Sequence, residues 1–205
     1  MKTDFQIKRR RSTTIKSAPG ANSALRLGVL APDVTNRGGI QSFMLRIIEV
    51  INVALKNGGA TEGICLSLNN STNSLRNHPH MPPEINVWGA QKSKILLVVH
   101  MIFTMPHQDV LFVGHIGLSP IAYLLKKLGK IDSYHVILHG IEAWRRINLL
   151  ERIALLSANS IVATTAFTAR ECEKYNNIPR SKFLVIPLCA NEIDIKPTPS
   201  FKLNG

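Results

Sequence analysis

The chain has 205 residues, enough for one well-filled core and too few for two full α/β units. With 45% hydrophobic residues it has the composition of a folding domain, and its longest apolar run, residues 95–105, is broken by His100 and Thr104 and falls well short of the ~20 residues that span a bilayer. The net charge of +12 is uneven: Lys2, Lys8, Arg9, Arg10, Arg11, Lys16 and Arg26 stand against Asp4 alone, so half the excess lies in a tail that lacks the apolar segment of a secretory signal.

Residues 1–24 are expected to be a disordered basic tail, because residues 12–24 hold too few large apolar side chains to pack. Such a tail can rest on an anionic membrane surface, although most are simply solvated. No aromatic residues interleave with its arginines, so nucleic acid is not expected as a partner. Cys65, Cys172 and Cys189 are odd in number and scattered, without metal-ligand spacing, which suits reduced thiols in a cytoplasmic protein and no metal site.

Residues 27–31 read as a strand, followed by a loop ending Asn36-Arg37-Gly38-Gly39. A helix follows, with Phe43, Ile47, Ile51 and Leu55 on its apolar side, and Asn57-Gly58-Gly59 stops it. Two readings of Gly38 and Gly39 stand open. Glycines at a helix start leave backbone N–H groups uncovered at its positive end, where a phosphate fits, or they only turn the chain. No G-x-G-x-x-G fingerprint is present, which disfavours an ordinary NAD domain.

Residues 61–68 read as the second strand, 69–84 as a polar loop, and 85–88 as the third strand. His78 and His80 in that loop have no third ligand nearby and read as solvated. Residues 92–104 form a helix candidate that is apolar nearly all round, expected to be buried, with His100 in need of a partner.

Residues 109–115 read as a fourth strand, apolar from Val110 to Val113 as in a parallel strand covered on both faces. Ser119-Pro120 begins a helix with Ile121, Leu124, Leu125 and Leu128 on one face. Residues 134–139 give a fifth strand, 145–157 a helix with Ile147, Leu150, Ile153 and Ala154 at helical spacing, and 160–164 a sixth strand. Thr168 and Glu171 fit a capping box, Thr165 is itself a candidate cap, and 183–187 gives a seventh strand. Lys196-Pro197-Thr198-Pro199 looks like a linker.

Strands and helices alternating in this way specify an α/β, Rossmann-like doubly wound parallel sheet of about seven strands over residues 25–195, with ligands at the carboxyl ends of the strands. That rule gathers Gly38 and Gly39, His115, His139 with Glu142, and Thr165 along one rim. His139 follows three apolar residues and precedes Gly140, which makes room for close approach. It is either a core histidine bonded to a carbonyl or a neutral imidazole able to donate to a sugar hydroxyl or phosphate oxygen. Glu142 either orients it or pairs with Arg145 or Arg146.

Four stretches resemble the N-terminal domain of a GT-B-fold glycosyltransferase of family 4. They are Asn36-Arg37-Gly38-Gly39-Ile40-Gln41-Ser42-Phe43, the segment 109–115 ending in His115, the segment 136–142 with His139-Gly140-Ile141-Glu142, and the long run 158–168 continued through Tyr175-Asn176-Asn177-Ile178-Pro179 to Pro187. The resemblance implies transfer of a sugar from a nucleotide-sugar to a saccharide or lipid-linked acceptor with retention of configuration, in polysaccharide or glycolipid assembly. It implies no cofactor and no essential metal, the nucleotide-sugar being a co-substrate. It also implies roles: Gly38 and Gly39 against the donor diphosphate, His139 near the reacting sugar, and His115, Glu142 and Thr165 toward the acceptor.

The chain departs from the family's pattern in having Leu188-Cys189-Ala190-Asn191 after Pro187, and Thr165-Ala166 where Ser-Glu is usual. The family's second, donor-binding domain is expected to be absent. The expectation is therefore an acceptor-side domain followed by a truncated linker over 196–205, inactive without a separate donor-domain chain. It would be cytoplasmic and would touch the inner membrane face peripherally. The alternative is a non-catalytic module that binds a glycan or partner with the same rim.

Overall fold

The computed structural model describes residues 24–187. The tail expected over 1–24 (all but Ala24), Cys189 and the linker expected over 196–205 lie outside the described residues. Seven strands, β1 (Leu25–Ala31), β2 (Ala60–Ser67), β3 (Asn86–Gly89), β4 (Gln108–Val113), β5 (Ile131–Leu138), β6 (Ser160–Ala163) and β7 (Phe183–Val185), form one sheet in the order β3-β2-β1-β4-β5-β6-β7. Every neighbouring pair is parallel, as the alternation of strands and helices requires.

The period-two geometry of a strand sends alternate residues to opposite layers. Leu30, Leu111, Val113, Tyr134, Val136 and Leu138 join one core; Val29, Ala31, Cys65, Ile137 and Val162 join the other. Helix α1 (Gly39–Lys56) and the short α2 (Thr72–Arg76) cover the second layer. Helices α3 (Lys94–Phe103), α4 (Ser119–Lys127), α5 (Leu149–Ser157) and α6 (Ala166–Asn176) cover the first.

On α1 the buried stripe is Met44, Ile48 and Ile51, so the expected Phe43 and Ile47 flank it. The sheet explains the rotation. Gly63 and Gly114 lie under the helix, and a Cβ on either would come within 3.0 Å of Ile51 or Met44. The polar loop expected over 69–84 contains α2, which Ser71 caps through the Ser74 N–H.

Burial of the helix expected over 92–104 is overturned. Leu97 and Met101 are buried, whereas Ile95, Leu96, Val99 and Phe103 are exposed. An edge position on the sheet gives this helix a layer on one side only. His100 finds its partner in the Trp88 ring, stacked at 3.8 Å, and in the Thr104 hydroxyl at 2.6 Å.

The apolar faces of α4 and α5 agree with expectation in part: Leu125 and Ala154 point inward as expected, joined by Ala122 and Leu155, while Leu124, Leu128 and Leu150 are exposed. Asn148, in a capping box with Glu151, caps α5, which starts at Leu149, four residues later than expected. Thr165, not Thr168, caps α6, accepting from the Thr168 N–H at 3.0 Å. Cys65 and Cys172 are buried free thiols; burial pushes them up to about 12 and about 11. Among the described residues no helix is long and apolar enough to cross a membrane.

Candidate functional site

The sheet reverses its winding between β1 and β4: the chain leaves β1 for β2 on one side and β4 for β5 on the other. Loops diverge there and open a crevice at the strands' carboxyl ends. The loop after β1 carries Gly38, the loop after β4 carries His115, and the loop after β5 carries His139.

Side chains inside the protein hold the β1 loop. Asp33 accepts from the backbone N–H of Thr35 at 2.9 Å and of Asn36 at 3.3 Å, and from the Asn36 amide. Asn70, from the loop after β2, donates to Asp33 at 2.9 Å and to Thr35 at 2.6 Å. Its carbonyl accepts from the Val34 N–H at 2.9 Å and the Ser67 hydroxyl at 2.7 Å. Burial would raise the Asp33 carboxyl, but the bonds from Asn70, Asn36 and Thr35 outweigh it and hold the group below its ordinary value.

From this braced loop α1 starts at exposed Gly38, with no side-chain cap and no acidic residue in the first turn. The positive end of an 18-residue helix is thus uncompensated by the chain's own carboxylates. A Cβ at Gly38 would overlap the Gln41 carboxamide, which folds back over this turn.

One turn into α1, Phe43 meets His139 edge to face, ring centroids 5.8 Å apart at 81°. The helix of the glycine loop and the histidine after β5 therefore share one rim. His139 is fixed on every side: Nε2–H donates to the Gly114 carbonyl at 3.2 Å, its own N–H donates to Glu142 Oε1 at 2.5 Å, and its carbonyl accepts from Thr164 Oγ1 at 3.1 Å. With Nε2 so engaged, Nδ1 carries the lone pair, and that atom is buried without a partner. Burial lowers the imidazole's pKa; Glu142 and the Gly114 carbonyl oppose this, His115 adds to it, and the balance stays below the ordinary value. The ring is neutral at pH 7. Its free atom is an acceptor, so the donation to a sugar expected from sequence requires the ring to turn over.

Glu142 holds the His139 main chain, not its imidazole. His115 is half-buried and uses Nδ1 to cap the short turn Ile116–Leu118 through the Gly117 N–H at 3.0 Å, leaving Nε2. Thr165, exposed at the start of α6, follows the Thr164 that binds His139. His139, Glu142 and Thr164 are thus hydrogen-bonded together, His115 sits within electrostatic reach, and Gly38 joins through Phe43.

This fold has a solved counterpart. The chain is similar to the crystal structure of Anabaena Alr3699/HepE in complex with UDP, with TM-score 0.57 and 12% identity over 82% of this chain. The match covers 45% of that chain, so this protein spans less than half of its length. No protein-family model and no curated protein matches the sequence. At this identity the likeness establishes a shared fold.

Sequence reading missed two features of the rim. One is the Asp33–Asn70 brace, whose partners lie far apart in the chain and whose only signal was a buried-capable Asn in a loop read as plain. The other is Trp144, whose ring lies 3.5 Å from where a Gly140 Cβ would sit, whose Nε1–H donates to Thr168 Oγ1 at 3.3 Å, and which meets Phe167 edge to face at 5.1 Å. Both aromatic rings are exposed beside Thr165. The rim is an open wall, and a hollow of about 410 Å³ lies instead at the sheet edge between Arg76, Pro82 and Val87.

Among the described residues one set, His107, Asp109 and Asp132, brings potential metal-binding atoms within 4.8 Å of one another. It lies at the amino ends of β4 and β5, opposite the rim. Its Asp109 already accepts from the Arg26 N–H at 2.7 Å, and His107 bonds Asp132 at 3.0 Å.

Proposed function

We propose that this chain is the acceptor-side domain of a nucleotide-sugar-dependent glycosyltransferase of the family 4 type. The observation that carries the reading is the Phe43–His139 contact, which joins the uncapped helix start to a neutral, rigidly held histidine across the crevice. In this reading the first-turn N–H groups after Gly38 and Gly39 face the donor diphosphate, and His139 lies beside the reacting sugar. His115, Glu142 and Thr165 line the acceptor's path, with Trp144 and Phe167 offering faces for a saccharide ring. The second wall of the cleft comes from a donor domain, whether in the same polypeptide or in another, and the acceptor is a glycan or glycolipid in polysaccharide or glycolipid assembly. The UDP in the Anabaena structure makes uridine diphosphate sugars the first donors to try.

The test mixes the chain with a donor-domain polypeptide and measures sugar transfer from uridine diphosphate sugars to candidate acceptor glycans, retaining or inverting. His139→Ala is expected to lower transfer by about 100-fold or more, the range for loss of a positioned proton-handling group. Undiminished transfer by that variant removes His139 from the mechanism. Acceptor binding with no transfer in any mixture makes the domain a glycan-binding module.

A further inference from the structure

Helix α3 is apolar on two opposite faces, and only one of them has a protein layer over it. Leu97 and Met101, four residues apart, are buried against the sheet. Ile95, Val99 and Phe103, also four apart, run along the outer side with 80%, 46% and 77% exposure, and Leu96 beside them is 48% exposed. Soluble domains scatter such residues singly; four within one ten-residue helix make a contiguous patch.

The charges along this stretch of the chain are of one sign. No Asp or Glu occurs from Ile85 to Gln108, while Lys92 and Lys94 are exposed at the helix start and Lys130 holds the Met105 carbonyl beyond its end. Lys94 in the first turn faces the positive end of the helix dipole, where a cation is unfavourable, so helix stability does not account for it. Lys92 stands in the left-handed region at φ 72°, again a position that local stability would give to another residue.

We propose that the outer face of α3 docks on an anionic lipid bilayer. Ile95, Leu96, Val99 and Phe103 enter the boundary between headgroups and acyl chains, and Lys92 and Lys94 meet the lipid phosphates. An outward apolar stripe with cations at its end is the pattern of a helix lying in a membrane interface. The polar face that such a helix needs when alone is not needed here, because Leu97 and Met101 seat the other side on the domain. A second copy of the chain fits less well, since pairing two α3 faces would bring lysines together in a segment with no carboxylate to neutralise them. This docking goes beyond the sugar-transfer reading and stands without it.

The full chain is sedimented with vesicles of phosphatidylglycerol and phosphatidylcholine in a 30:70 ratio, and with pure phosphatidylcholine, at low salt and at ~0.5 M salt, where screening removes most attraction from the basic tail. Unchanged protein is expected to stay bound to the mixed vesicles at high salt. The double variant Ile95→Ser/Phe103→Ser is uncharged and alters exposed positions only, so its thermal unfolding should match. It is expected to bind at least about 30-fold more weakly. Lys92→Gln/Lys94→Gln should weaken binding to the mixed vesicles by about 10-fold and leave pure phosphatidylcholine unaffected. Equal vesicle binding by the serine variant overturns the proposal. So does a dimer that the serine substitutions dissolve while no form of the chain binds vesicles.

Discussion

Asn70 commits every polar atom of its side chain to neighbours: its amide to Asp33 and Thr35, its carbonyl to Val34 and Ser67. Replacing it by Ala strands a buried backbone N–H and removes one bond from the Asp33 carboxylate and one from the Thr35 hydroxyl, so Asn70→Ala should cost about 1–3 kcal/mol, read as a lower urea midpoint. If the brace also sets the start of α1, hydrogen exchange at the first-turn amides of that helix should quicken in the same variant. His139 and its glycine were legible because an imidazole closing an apolar strand is a local signal. Asn70 was not, since nothing local distinguishes an asparagine that reaches across the sheet from one that faces water.

Two glycines at the carboxyl ends of strands separate what a side chain tolerates from what a backbone tolerates. A Cβ on Gly114, just after β4, would lie 2.6 Å from the Met44 sulfur, the end of a flexible side chain. Gly114→Ala should therefore cost about 1–3 kcal/mol, and a double-mutant cycle with Met44→Ala should show favourable coupling. A Cβ on Gly89, in β3, would strike the Asn70 carbonyl and lie 2.6 Å from the Ser71 carbonyl carbon, and neither can swing aside. Gly89→Ala is expected to be the more damaging by urea unfolding, above about 3 kcal/mol. Element types were readable from periodicity. What periodicity could not give was how many sides of an element are covered: α3 carries apolar residues all round, and only its place beside the edge strands decides that one side faces out.

At the scale of the molecule, His78, His100, His135 and His139 all have pKa values lowered from the ordinary histidine value, burial being the first cause of each. Below about pH 6.5 the unfolded chain takes up protons that these folded imidazoles refuse, so stability is full above that value and falls as the solution is acidified through it. The lowered Asp33 carboxyl adds a further loss at more acid pH. The urea midpoint should drop between pH 7.5 and 5.5, and His139→Gln should flatten part of that slope; an unchanged slope would show that the imidazole titrates freely in the fold. The whole-sheet architecture was legible in outline because alternating strand and helix signals leave few right-handed topologies. The pairing of β1 with both β2 and β4 fixes the place where distant loops meet.

That pairing sets a schedule for the chain as it is made. β1 takes β2 on one edge as soon as Ser67 has emerged, but its other edge stays bare until Gln108–Val113 follows, a delay of about 2–9 seconds at about 5–20 residues per second. Throughout that interval Leu27, Val29 and Leu30 offer an open ladder to any passing strand. Nascent chains halted before β4 should sediment with chaperones, and chains halted well past it should not.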